Sequence, residues 1–246
     1  MDTNKEWFAD WFDSPYYHIL YKNRDYTEAE QFLNNVISFL KMPINSSVID
    51  LACGKGRHSV FLNKAGFNVT GLDLSANSIE HAKQFENNSL HFDVADLRSF
   101  ETNQLFDYGF NLFTSFAYFK SDEENQKVLN RFNACLNAKG ILLLDFFNAE
   151  KIKQMQSYSE TKIIDGIEFN LHKIIDDKKV TKRIEFNADG KEYYYQEEVQ
   201  LLTLANFEKL FSQTGFTILN VFGNYNLTNF EPNTSDRLIF IAQKNN

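Results

Sequence analysis

Residues 48–73 constrain this chain more than any other stretch. Residues 48–51 are a short apolar run, V-I-D-L, carrying an acid at Asp50; A-C-G-K-G follows, with Gly54 and Gly56 in a turn. An amphipathic helix is expected over 57–65, and a second apolar strand over 67–72 runs into another acid, Asp73. Strand, helix and strand make one βαβ unit of a parallel sheet. Open parallel sheets bind ligands beyond the carboxyl ends of their strands, which is where these acids and glycines fall. Gly54 and Gly56 let the backbone turn tightly and approach a ligand. The first amides of the following helix point into the same space with a partial positive charge. Asp73 is placed to take two hydroxyls of a ribose. Asp50 can accept a ligand ammonium or hold the loop through backbone amides. An adenosine-containing cofactor is the natural occupant.

Two cofactor classes compete. A dinucleotide fingerprint reads G-x-G-x-x-G/A, whereas Ser59 stands at the third place here and an acid, Asp50, precedes the turn. The stretch D-L-A-C-G-K-G-R-H, followed by G-F-N-V-T-G-L-D-L-S, instead resembles the first two motifs of class I S-adenosylmethionine-dependent methyltransferases. The resemblance covers roughly 45–150 by motif and 200–244 by pattern. It implies an α/β, Rossmann-like sheet of seven strands with helices on both faces, in the order 3-2-1-4-5-7-6 and with the seventh antiparallel. It implies S-adenosyl-L-methionine as cofactor and S-adenosyl-L-homocysteine as product, the methyl passing to an N, O or C nucleophile. Asp50, Ala52, Cys53, Gly54 and Gly56 would surround the methionine part. Asp73 and Leu74 would meet the ribose and adenine, and Asp96 and Leu97 the adenine, with Asp93 a rival to Asp96.

Three other functions stay open on the residues alone. One is an NAD(P)-binding oxidoreductase, one a non-catalytic binder of the same cofactor, and one a methyltransferase acting on RNA or protein. Charge speaks against the last. The net charge is −8, with basic residues gathered only at D-K-K (177–179) and T-K-R (181–183), and a nucleic-acid binder shows a basic face. The acidic balance favours a small or cationic acceptor. No apolar run of 18 residues exists, so no transmembrane helix is expected. Residues 1–6 lack the pattern of a signal peptide, and Cys53 and Cys135 read as free thiols, so a reducing cytoplasm is expected. Five histidines show no metal-ligand spacing, and no metal is expected. The chain is expected as monomer or homodimer.

Residues 2–13 read as a helix packing on the main domain through Trp7, Phe8, Trp11 and Phe12. The tyrosine-rich stretch 14–24 reads either as an aromatic linker or as part of an N-terminal helical lid, residues 1–42, over the sulfonium, since aromatic faces attract cations. The resemblance favours the lid. Tyr17 would then meet the cofactor and Tyr21 and Arg24 the acceptor, although a surface salt bridge accounts for Arg24 more readily. Thr27 and Glu30 form a capping box for a helix over 27–41.

The Rossmann-like domain is expected over 43–157 and 203–246. Ser75 caps a helix reaching 86, and a strand over 89–94 leads to Asp96. A fourth strand over 106–113 resembles the stretch that passes the methyl group, placing Asn111 and Phe113 by the cofactor and Ser115 and Tyr118 by the acceptor; each can equally be packing. A helix over 122–137 is closed by Gly140. An apolar strand over 141–144 follows, with Asp145 and Asn148 beyond it to orient an acceptor, act as base or cap the next segment. No general base stands out. Residues 158–202 alternate apolar and polar between turn signals, an antiparallel meander of about four strands inserted over the acceptor mouth. A helix over 203–215 and strands over 216–222 and 238–243 complete the chain, with the polar 224–236 loop near the acceptor.

Overall fold

Alternating burial sets the architecture. A computed structural model describes residues 6–22 and 26–246, the side chain of Tyr26 excepted. Along the central strands, successive residues feed opposite layers, as a pleated strand requires. Val48, Leu143, Ile239 and Ile241 enter one apolar cluster, while Ile49, Leu142, Leu144 and Phe240 enter the other. Both faces therefore need helices.

The chain opens with α1 (Trp7–Phe12), α2 (Pro15–Leu20) and α3 (Tyr26–Leu40). Then follow β1 (Ser47–Leu51), α4 (Arg57–Lys64), β2 (Asn68–Asp73), α5 (Ala76–Ala82), β3 (Leu90–Val94), β4 (Phe106–Asn111), α6 (Asp122–Ala134), β5 (Leu136–Phe147) and α7 (Ala149–Lys153). A second sheet comes next, β6 (Tyr158–Ile164), β7 (Ile167–Ile175), β8 (Lys179–Ala188) and β9 (Lys191–Gln200). The chain ends with α8 (Leu204–Gln213), β10 (Phe216–Phe222) and β11 (Arg237–Lys244). The main sheet has seven strands in the order β10-β11-β5-β4-β1-β2-β3. Only β11 runs antiparallel to both its neighbours, β5 and β10. This is the expected order, and the meander is a separate four-stranded antiparallel sheet. Helices α3, α4 and α5 cover one face and α6 and α8 the other. Among the described residues no helix is long and apolar enough to cross a membrane.

Several local expectations are corrected. Helix α1 meets the main domain as expected through Trp7, Phe8 and Phe12, whose rings contact Tyr118 and Phe119, but Trp11 turns the other way: fully buried, it joins Leu20 of α2 against Phe169, Leu171, Ile184 and Phe186 of the second sheet. The tyrosine stretch holds a helix, α2. Ser14 accepts from the Tyr16 N–H and Pro15 stands at the first position, a start signal that sequence inspection passed over. Helix α3 begins at Tyr26, so Thr27 lies inside its first turn and not at its cap. Gly140 does not end α6, whose cap is Cys135. It lies inside β5, where a Cβ would meet the Asn137 carbonyl at 2.9 Å. The need there is close backbone packing.

Candidate functional site

The turn after β1 is shaped by three left-handed residues, Ala52 (φ 67°), Gly54 (φ 56°) and Gly56 (φ 79°). The Ala52 and Cys53 amides both donate to the Leu72 carbonyl, at 2.8 and 2.9 Å. That ties the turn to the end of β2. Asp73 then accepts the Gly54 amide on Oδ2 at 2.7 Å and the Ser75 amide on Oδ1 at 2.8 Å. Burial raises the Asp73 carboxyl while those amides lower it, and the net direction is up. The carboxylate is thus aimed before any ligand arrives, with lone pairs left over.

The two glycines do different things. Around a Cβ built at Gly54 nothing lies within 4 Å, so open space faces it. A Cβ at Gly56 would sit 2.6 Å from the Phe92 ring, and one at Gly71 also 2.6 Å from it. Gly56 makes room for Phe92, and it does not line the cavity.

That cavity has a volume of about 440 Å³. Its floor is Ala52, Cys53, Gly54, Asp73 and Leu74, with Asp96 and Leu97 at the end of β3. Its far wall is Phe113, Ser115 and Tyr118, and its roof carries Phe8 and Phe12 of α1 with Tyr17 and Tyr21 at α2. Twelve of these fourteen, all but Phe8 and Phe12, are site candidates named from the sequence, and those twelve come from five segments. Asp93, the rival to Asp96, is exposed and pairs with Lys83 at 3.9 Å outside the cavity.

Four named residues stand elsewhere. Asp50 is buried behind the turn, where Ser59 Oγ donates to it at 2.6 Å. Asn111 is buried and spends its amide on the Leu51 and Ser115 carbonyls at 2.8 and 3.1 Å. Asn148 caps α7 through the Glu150 amide and holds the Pro232 and Ser235 carbonyls. It is a loop tie and does not line the cavity. Gly56 is the fourth. Arg24 lies outside the described residues. The 224–236 loop contributes nothing to the cavity lining.

Electrostatics inside the cavity depart from those of the whole chain. Its acids are Asp73 and Asp96, whereas Lys22, Lys55, Arg57, His18, His58 and His81 also line it. The acidic balance of the chain therefore says nothing in favour of a cationic acceptor. Arg57 Nη2 lies 2.9 Å from His58 Nε2, and the His58 ring stacks on Phe113 at 4.9 Å. Burial pushes the Cys53 thiol up, which disfavours a thiolate there.

Long-range contacts that sequence inspection missed clasp the roof to the floor. Arg98 donates to both oxygens of Glu6, each at 2.6 Å, and to Asp96 Oδ2 at 2.6 Å. Burial tends to raise Asp96, but the Arg98 bonds outweigh it and hold the carboxyl low. Asp13 accepts from Ser75 Oγ at 2.7 Å and from the Asn77 amide at 3.0 Å. Glu197 of β9 accepts from Trp11 Nε1 and from the Tyr21 hydroxyl, both at 2.7 Å. No periodicity marks such pairs.

The methyltransferase-domain family matches residues 44–200, from the start of the first βαβ unit through the second sheet. The chain belongs to this family. A putative methyltransferase of Geobacillus sp. (strain WCH70) is 25% identical over 97% of this chain and 99% of its own length. A glycine/sarcosine N-methyltransferase of Halorhodospira halochloris is 28% identical over 85% of this chain and 79% of its own. Among solved structures, an S-adenosylmethionine-dependent methyltransferase from Clostridium acetobutylicum superposes with a TM-score of 0.79 at 19% identity, over 94% of this chain and 96% of that one. The methyltransferase uses S-adenosyl-L-methionine as its cofactor, which excludes the dinucleotide alternative. Its residues fit that group: an aimed carboxylate at the end of β2 and open space over Gly54.

Proposed function

We propose that this methyltransferase carries the methyl group of S-adenosyl-L-methionine to a nitrogen of a small amine acceptor. The acceptor would be held between the cofactor and the aromatic roof. The observation that supports this is the continuity of the cavity. It runs from Asp73 and Asp96 to Phe113, Ser115 and Tyr118 beneath α1 and α2. Its volume of about 440 Å³ is at the lower end of small-molecule sites, roughly 300–1,000 Å³. The cofactor takes a large part of that, and the remainder suits a small acceptor. The similarity to a glycine/sarcosine N-methyltransferase favours nitrogen.

When bound, the cofactor supplies a methyl group already activated by its sulfonium. The chain's own residues then have three tasks. Asp73 binds the ribose hydroxyls, and Asp96 with Leu97 holds the adenine. The aromatic faces of Tyr17 and Phe113 stand against the cationic centre. Phe8, Phe12 and Tyr118 exclude water and hold the nucleophile about 3 Å from the methyl, in line with the breaking bond. An amine arriving neutral needs no general base.

In this reading α1 and α2 are the lid, 43–157 and 203–246 carry the cofactor, and 158–202 backs the lid without lining the cavity. Helix α3 belongs with the main sheet, since Phe32, Leu33 and Val36 pack there. Two buried free cysteines suit a cytoplasmic protein, acting as monomer or homodimer. Calorimetric titration with S-adenosyl-L-methionine, S-adenosyl-L-homocysteine and NADH tests the first part. Binding of the two sulfur compounds without NADH is expected. A screen of small primary and secondary amines for release of S-adenosyl-L-homocysteine tests the second. Cofactor binding with no amine methylated would overturn the acceptor assignment, and NADH binding alone would overturn the whole.

A further inference from the structure

Three residues other than glycine take left-handed backbone in one short run at the cavity wall: Phe113 (φ 55°), Thr114 (φ 65°) and Ala117 (φ 64°). Such conformations persist only where the surroundings over-determine them. The determinant lies behind the wall. Asp145 is fully buried on β5 and does not line the cavity. Its Oδ2 accepts the Phe113 amide at 2.8 Å, and its backbone carbonyl accepts the Thr114 amide at 3.0 Å. Arg237 of β11 donates from Nε to Asp145 Oδ1 at 2.8 Å and from Nη2 to Thr114 Oγ1 at 3.0 Å. The Tyr225 hydroxyl donates to Asp145 Oδ2 at 3.3 Å, and its ring packs on Phe113 with centroids 5.4 Å apart.

The fold alone does not ask for this carboxylate. β5 and β11 are already joined by a continuous ladder from Arg237↔Phe147 to Gln243↔Ile141. An apolar residue would complete the run I-L-L-L-x-F-F, and well-packed apolar residues generally replace a buried ion pair without loss. What only the carboxylate supplies is an acceptor for the Phe113 amide.

We propose that Asp145, held by Arg237, is a positioning residue that fixes the 113–115 backbone, so that Phe113 and Ser115 form the wall facing the bound cofactor. This rests on the cofactor site described above. Asp145 touches neither cofactor nor acceptor and acts through the loop.

Asp145→Leu alone strands Arg237 as an uncompensated buried charge, so the test pairs it with Arg237→Met. The double variant removes both charges and the acceptor while keeping an apolar interior. A melting temperature lower by no more than a few degrees is expected, since the Phe113 amide and Tyr225 hydroxyl lose their acceptor, with the dissociation constant for S-adenosyl-L-homocysteine raised by about tenfold or more in calorimetry. A merely structural pair would move the melting temperature and leave the affinity of the folded protein unchanged. Thr114→Val keeps the ion pair and the β-branched shape and removes only the hydroxyl that Arg237 reaches. About threefold weaker binding at an unchanged melting temperature is expected. A folded double variant with wild-type affinity overturns the proposal. If the double variant does not fold, wild-type affinity in Thr114→Val overturns it. Failure of the wild-type chain itself to bind S-adenosyl-L-homocysteine would overturn the cofactor site, and this inference with it.

Discussion

Asp50 and Asp73 lie on neighbouring strands, yet their surroundings give them opposite work. Asp73 faces the cavity with two amides on its oxygens, so Asp73→Ala should abolish measurable binding of S-adenosyl-L-methionine in calorimetry while the far-ultraviolet circular dichroism stays that of the folded protein. Asp50 is sealed in, and burial pushes its carboxyl up to about 6, against the pull of the Ser59 hydroxyl. A group whose folded value is raised binds its proton more tightly when folded. Stability is therefore lost as pH climbs from about 4 through 6, by about 3 kcal/mol once Asp50 is fully ionised. Asp50→Asn should remove that loss. Urea denaturation should show the variant gaining on the wild type at pH 7.5 and matching it near pH 4. A gain independent of pH would contradict the assignment to ionisation.

At the scale of elements, the cofactor floor is built by close approach. Gly71 on β2 and Gly56 before α4 both leave room for Phe92 of β3. Gly71→Ala would also bring its Cβ to 2.9 Å from Cys53 Sγ, and should destabilise the protein by about 1–3 kcal/mol in a denaturant titration, as overpacking does. Gly54→Ala meets open space but strains a left-handed backbone, so it should cost about 1–2 kcal/mol of stability as well as crowd the cofactor. The roof elements are held by hydrogen bonds from loops. Asp13 clasps the N-terminus of α5 through Ser75 and Asn77, each bond contributing about 1 kcal/mol. Asp13→Ala should speed dissociation of S-adenosyl-L-homocysteine by about tenfold in stopped flow and shift the melting temperature little. An unchanged dissociation rate would detach α1 from cofactor release. The sequence showed the floor well because acid, glycines and acid follow one another within one βαβ unit. It showed the meander through alternation and turn residues. Helix α2 escaped because six residues hold too little periodicity, and Gly140 misled because a glycine beyond a helix resembles a cap.

Across the whole molecule, what the sequence hid is distance. Trp11 finds Glu197 across 186 positions and Asp145 finds Arg237 across 92. Neither pairing follows from local pattern, since only the assembled fold brings these chains together. Asn111 and Asn148 were misplaced for the same reason: a polar residue at a strand end can face a ligand or tie down a neighbouring loop, and here loops claimed both. The roof itself leans on the second sheet, Trp11 and Tyr21 sharing the single carboxylate of Glu197. Lifting this roof away from the second sheet would part those aromatic rings from that carboxylate. Chemistry on an activated methyl group can be fast, so the slow event becomes the parting. Added viscogen should then lower kcat in proportion to solution viscosity, while Glu197→Gln should lessen that dependence. Turnover in this chain would be timed by the traffic through its doorway.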